Sequence, residues 1–481
     1  CVEVVMRFTR KSVVLVAIGA LVTGCGTASN ATPSATPNTR SAAYQQAYTI
    51  GLDAYTYGLP LLTTNATFLT MTSVNVSSGA FGPVNQFNSV RAPNSPTSTA
   101  VVAPGATSLS SIAWLDLSSQ AQVLHVPKVV GHDFVLALLD PYTENLVNFS
   151  NASDTVPGDY VIAGPSQAGI TIPTGTHLVN VDYNRIWVIG STQLKSPGDV
   201  AAVNAIQDQY SITPLNSYGR TYTPPAPATP VTTVSQQAIP TGLAFFDTLG
   251  QLLALFPPPS ADAGELSKLA SVGIGPGRTP SQDKNLSQDT RQGLIDAVAA
   301  GPAQIQQQTK ALYSEGFAMH NGYLLGGFGT YGTNYTERAV ISQIGLGAFV
   351  PHQAIYAMAW SDKTSKVLSG STAYVMHLTT PPPSIEGWSL TVYSLKGTLV
   401  PNSLGRYSFT DSSTLTYNAD GSIDIYLQAD APSDAGQVAN WIPTPAGQGF
   451  EVTWRLFAPQ PSAIDGIVSG SGWQPPAITV S

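Results

Sequence analysis

The run Gly387–Phe409 reads GWSLTVYSLKGTLVPNSLGRYSF. Three further stretches follow it in order: NADGSIDIYLQAD (Asn418–Asp430), NWIPTPAG (Asn440–Gly447) and WRLFAPQP (Trp454–Pro461). From about Ser371 onward the pattern is that of short strands punctuated by turns. Tyr417–Leu427 reads as a hairpin, with Asp420-Gly421 at the turn between alternating arms. Trp388, Tyr393 and Trp473 are bulky enough to supply core area for such a unit. The expectation is an antiparallel sandwich covering residues 361–481.

Composition widens the picture. A chain of 481 residues with 43% apolar side chains can bury two or three full cores. Charged residues are only 10%, against roughly 25% in an ordinary soluble domain, while Gly (43) and Pro (37) are abundant. That profile suits a secreted, loop-rich, β-rich protein. The net charge is −8, and no Lys/Arg run occurs beyond the first dozen residues. A nucleic-acid partner needs a basic surface to neutralise phosphates, so none is expected.

The first residues read as a targeting signal. Arg7, Arg10 and Lys11 form a basic stretch before the apolar run 13–22, which is shorter than the ~20 residues of a membrane span. Leu21-Val22-Thr23-Gly24-Cys25 then has the small residues before a cysteine that lipoprotein processing requires. The expectation is a signal peptide over 1–25, starting naturally at Met6, with Cys25 as the lipidated residue that ties the protein to a membrane. This places the protein in the bacterial cell envelope, outside the cytoplasm. Residues 26–43 are a Ser/Thr/Ala/Pro-rich flexible tether. Cys1 and Cys25 are the only cysteines, which excludes disulfide stabilisation and cysteine catalysis in the mature chain.

Residues 44–220 read as a β-rich N-terminal module. It opens on a helix over 42–57 stopped by Gly58 and Pro60, and continues with strands at Ile112–Leu117, Gln122–Val126, Phe134–Leu139, Tyr160–Ala163 and Arg185–Ile189. Residues 221–360 read as a Pro-rich connector and a helical segment. Its expected helices are Leu243–Phe256, Ser287–Met319 with a break or kink at Gly301-Pro302, and Tyr335–Trp360 interrupted near Pro351.

The chemistry-bearing motifs are sparse. His125, His132, His177, His320, His352 and His377 show no zinc spacing, so no metal is expected. No Gly-x-Ser-x-Gly elbow, Walker loop or dinucleotide fingerprint is present. Gly326-Gly327-Phe328-Gly329 reads as a close-packed turn, and Asn418–Asp424 as a hairpin turn in preference to a calcium loop. No catalytic residue and no cofactor can be named from these patterns.

The four C-terminal stretches, together with AWLDLS (Ala113–Ser118), LLDPYT (Leu138–Thr143), GDYVIAGP (Gly158–Pro165) and RIWVIG (Arg185–Gly190), resemble a bacterial two-module family, domains of unknown function 1254 (N-terminal) and 1214 (C-terminal). The resemblance covers residues 44–478. It implies an α+β, mainly β fold, with two β-rich modules joined by a helical segment. The polar residues in its matching blocks are Asn85, Asp140, Asn402, Arg406 and Tyr407, which become the candidate ligand-binding set. An arginine beside Asn and Tyr can bind an anion, or can hold two loops together through carbonyls.

The departures from the family carry as much information. Many relatives have Pro-Asn-x-Asp-Thr-Leu-Tyr where this chain has Pro104-Gly105-Ala106-Thr107-Ser108-Leu109-Ser110. An Arg that often ends the RIWVIG strand is Ser191, and a His that follows the GPVNQF block (Gly82–Phe87) is Asn88 or Ser89. Each change removes a charge or a strong hydrogen-bonding group, which lowers the acid–base capacity of the N-terminal module. The expected function is therefore binding of a small or polymeric ligand between the modules. The alternative is an extracytoplasmic hydrolase of a lipid, ester or phosphoester, and self-association into a homo-oligomer stays open.

Overall fold

The computed structural model describes residues 40–98, 103–225, 227, 229–232, 234, 235, 237–315, 324, 325 and 328–481. The signal peptide, Cys25, most of the tether, His320 and Gly326-Gly327 lie outside the described residues.

Nine strands build the N-terminal module: β1 (Asn88–Ser89), β2 (Ser108–Asp116), β3 (Gln122–Val126), β4 (Phe134–Leu139), β5 (Asn145–Ser150), β6 (Gly158–Ala163), β7 (His177–Asn180), β8 (Arg185–Gln193) and β9 (Ser211–Pro214). They form two sheets, ordered β1-β2-β8-β4-β5 and β7-β6-β3-β9. Ala113, Leu115, Leu136, Leu138 and Val188 of the first sheet meet Leu124, Val126 and Ile162 of the second in one core.

The C-terminal module repeats this plan with β10 (Leu324–Leu325), β11 (Ala354–Ala359), β12 (Tyr374–Leu378), β13 (Trp388–Ser394), β14 (Ser408–Thr410), β15 (Ile423–Gln428), β16 (Trp441–Pro443), β17 (Phe450–Phe457) and β18 (Ile478–Val480). Its sheets run β10-β11-β17-β13-β14 and β16-β15-β12-β18. Between them lie Trp388, Leu390, Val392, Val452, Trp454 and Leu456 from one sheet and Met376, Ile425 and Leu427 from the other. All pairings are antiparallel except β6–β7 and β15–β16.

The helices form a separate layer. α1 (Ala42–Met71) packs on α3 (Leu243–Leu255), α5 (Gln288–Glu315) and α6 (Tyr335–Ile344). α2 (Val200–Gln207) and α4 (Ala263–Ala270) are short, and α7 (Pro461–Ser469) follows the last long strand. Tyr55, Leu59, Phe245, Leu249, Leu253, Leu294 and Ile305 share one apolar cluster here. Among the described residues no helix is long and apolar enough to cross a membrane.

Four local expectations are corrected. α1 does not stop at Gly58 and Pro60 but runs on to Met71. A Cβ at Gly58 would lie 2.8 Å from the Leu249 side chain, so the glycine serves close helix contact and burial outweighs its propensity. α5 likewise carries Pro302 inside an unbroken helix. Residues 354–359, expected as helix, are the strand β11. Ile355, Ala357 and Ala359 face the C-terminal core while Ala354 and Tyr356 face the other way into apolar packing, so no polar alternation betrays the strand. Finally, the Asn418–Ser422 turn exists, with Asn418 N–H donating to the Ser422 carbonyl at 2.8 Å, but only its second arm is a strand.

Candidate functional site between the modules

The two five-stranded sheets turn one face each toward the other. On the N-terminal side that face carries Ile112, Trp114, Val135, Ala137, Trp187 and Ile189. They share a cluster with Ala354 and Tyr356 of β11. Trp114 stacks on Trp187 at 4.7 Å.

The facing side of the C-terminal sheet is different in kind. Along β13 and β17 the residues that alternate with the core set are Ser389, Thr391 and Tyr393, and Glu451, Thr453 and Arg455. All six are buried. The register places Ser389 opposite Arg455, Thr391 opposite Thr453 and Tyr393 opposite Glu451. Among the described residues the hydroxyls of Ser389, Thr391 and Thr453 have no hydrogen-bond partner. An unpaired buried hydroxyl costs on the order of 1–3 kcal/mol, so a patch of three is expensive for a structure that gains nothing from it.

The same face grips the N-terminal module. Arg455 Nη2 donates to the Ala103 carbonyl at 3.0 Å, and Nη1 donates to the Tyr393 hydroxyl at 2.9 Å. That hydroxyl in turn donates to the Pro104 carbonyl at 2.9 Å, and Ala103 N–H reaches the Gly397 carbonyl at 2.6 Å. The gripped residues lead into the segment Gly105–Ser110. Further along the sheet, Ser110 sits directly opposite Ser191. These two positions are in line with Ile112–Ile189 and Trp114–Trp187 on the face toward the C-terminal module.

Beside this contact a cleft of about 310 Å³ opens between the modules. Thr107, Asp133, Gln193 and Lys195 line one wall, and Glu386, Trp388, Thr410 and Asp411 the other. Thr410 is the β14 partner of Ser389, so the cleft adjoins the hydroxyl patch. Burial of Asp133 pushes its carboxyl up to about 7, and the nearby Glu386 carboxylate adds to the effect.

None of the five candidate residues read from the sequence lines this cleft. Asn85, at a positive φ of 58°, accepts from Asp116 N–H at 2.9 Å and clips the loop to β2. Asp140 accepts from the N–H groups of Tyr142 (2.8 Å) and Glu144 (2.9 Å), closing the β4–β5 turn. Burial pushes its carboxyl to about 7 against the pull of the Glu144 N–H. Asn402 organises its own loop, accepting from Leu404 and Arg406 N–H and donating to the Val400 and Arg406 carbonyls. Arg406 Nη1 donates to the carbonyls of Val438 (2.7 Å) and Trp441 (2.8 Å), which is the loop-holding arrangement. Tyr407 is half-buried beside β14.

Among the described histidines, His125, His132 and His377 each pair with one carboxylate: Asp159 at 2.6 Å, Asp199 at 2.9 Å and Asp424 at 2.6 Å. Among the described residues no three His, Cys, Asp or Glu side chains converge as metal ligands would.

The fold is thus a pair of two-sheet modules stacked face to face with a helical layer alongside. Residues 84–214 match the family described as protein of unknown function DUF1254, and residues 353–461 match protein of unknown function DUF1214. The chain thus carries both matches in this order, N-terminal and then C-terminal. The solved structure of the VPA0106 protein from Vibrio parahaemolyticus is similar in fold, with a TM-score of 0.63 at 21% identity over 90% of this chain and all of that one. An uncharacterised protein from Burkholderia cenocepacia gives a TM-score of 0.41 at 11% identity, over 91% of this chain and 94% of its own. No curated protein matches the chain.

Proposed function

We propose that this chain is a lipid-anchored protein of the bacterial cell envelope, tethered through Cys25, that binds a small or polymeric ligand between its two modules. The observation that supports this reading best is the row of buried, unpartnered hydroxyls on Ser389, Thr391 and Thr453. A ligand that brings its own donors and acceptors to that face would recover the desolvation cost. The Arg455–Ala103 and Tyr393–Pro104 contacts hold the facing module in place around it.

A second reading, an extracytoplasmic hydrolase of a lipid, ester or phosphoester, draws on Asp133. A carboxyl held near 7 in a cleft and facing Glu386 can take and give a proton at neutral pH.

Native mass spectrometry and metal analysis of residues 41–481, purified from the native host, test the first reading. A stoichiometric co-purified molecule, lost on Ser389→Ala with Thr391→Val, is the expected result. A clean apo mass under gentle conditions counts against it. For the second reading, ester and phosphoester panels should show turnover that Asp133→Asn abolishes; no turnover removes it.

A further inference from the structure

A second cavity lies in the helical layer, and two of its lining residues, Ile344 and Trp360, also pack against the inter-module cluster. It measures about 780 Å³, within the range of pockets that enclose a drug-sized molecule. Its floor is the buried set Tyr55, Leu59, Val298 and Ile305, contributed by α1 and α5. Ile344 at the end of α6 and Trp360 just past β11 close the sides. Exposed Ala238, Thr241, Pro302 and Gln306 ring the mouth, so solvent reaches it.

Two features of α5 shape the cavity. Gly301 lets the Tyr55 ring lie against the helix, since a Cβ there would sit 2.5 Å from that ring. Pro302 has no N–H, which takes away the helical donor of the Val298 carbonyl at the cavity wall.

The lining chemistry is selective. Among the described lining residues there is no Asp, Glu, Lys, Arg or His; the polar side-chain groups are the hydroxyls of Tyr55, Thr241 and Thr309, the amides of Gln306 and Gln343 and the indole N–H of Trp360. A charged group entering this cavity would lose its water with no opposite charge to meet it, whereas an apolar body gains from leaving water.

We propose that this cavity is a binding site for an uncharged small molecule with an aliphatic or aromatic body and a neutral hydrogen-bonding head, such as a hydroxyl or carbonyl. The body lies on Leu59, Val298, Ile305 and Ile344, and the head meets the Gln306 and Thr241 rim. The proposal does not depend on the inter-module reading.

The test uses the full chain carrying Cys25→Ser, which cannot take a lipid at that position. Titration with Nile red, a neutral dye, should saturate at one molecule per chain. Val298→Trp, which fills the cavity, should weaken binding at least tenfold. Thr241→Trp, at an exposed rim position where it disturbs no core, should also weaken it, and circular dichroism melting checks that both variants are folded. Dodecanol should displace the dye at concentrations at least tenfold below dodecanoate at pH 8. Non-saturating uptake, or equal affinity in a folded Val298→Trp or Thr241→Trp variant, overturns the site. Equal displacement by alcohol and carboxylate overturns the preference for an uncharged ligand.

Discussion

The five-stranded sheet of the C-terminal module has two faces that are equally buried and opposite in character. One presents Trp388, Leu390, Val392, Val452, Trp454 and Leu456 to the second sheet of its own module. The other presents Ser389, Thr391, Thr453 and Arg455 to the N-terminal module. The two sets come from the same strands and differ only by the alternation of side chains along β13 and β17. The first face is what folding requires, since burying each large apolar side chain contributes about 1.5–3 kcal/mol. The second carries a cost, because its hydroxyls, like the Trp454 indole N–H on the first face, have no replacement partner among the described residues. A costly buried surface held beside a cleft is where function is to be sought.

The strongest way to test the contrast is to damage the apolar face. Trp454→Ala should destabilise the chain by about 3–5 kcal/mol, read by urea denaturation, because the neighbouring Trp388 and Trp473 rings cannot collapse fully into the void. A loss below about 1 kcal/mol would show that this core does not carry the module.

A smaller effect should come from pH and should track the interface. The native Asp133 carboxyl holds its proton up to about 7, while in the unfolded chain it ionises near 3.9. Between those values the native state binds the extra proton, so stability falls as pH rises from about 4 to about 7 and levels off above. Asp133→Asn should remove part of that slope and be the more stable protein at pH 8. Asp140 and Glu337, also raised to about 7, and Glu265, raised by burial, contribute to the slope that remains. Melting temperatures across pH 4–8 decide the matter: parallel curves for the two proteins would mean that Asp133 ionises normally.

The smallest expected change runs the other way. Thr391→Val and Thr453→Val each replace an unpartnered hydroxyl by a methyl, so each should raise the stability of the ligand-free protein by about 1 kcal/mol. Destabilisation by either would mean that an ordered water already satisfies the hydroxyl, and the contrast between the faces would shrink accordingly.

Much of this architecture was legible beforehand, and the exceptions share a cause. Strands such as Gln122–Val126 and Phe134–Leu139 are bounded by turn residues and were readable end to end. β11 was not, because its two faces are both covered by apolar neighbours and the period-2 signal is gone. The length of α1 was hidden because contacts with α3 and α5, which lie far off in sequence, override Gly58 and Pro60. The candidate site suffered most. Ser389 and Thr391 alternate with Trp388 and Leu390 in the manner of a solvent-facing strand side, yet in the folded chain both are fully buried. Arg406 and Asn402 stood out as polar groups in distinctive blocks, yet both serve their own loops.

The grip on Ala103 and Pro104 has a consequence for how such a chain can diverge. Arg455 and Tyr393 take hold of backbone carbonyls, which every residue offers alike. Docking of the modules is therefore indifferent to the side chains that follow, from Gly105 to Ser110. Side chains in that block can therefore change while these two anchoring bonds stay in place, so the surface they line can vary on an intact scaffold.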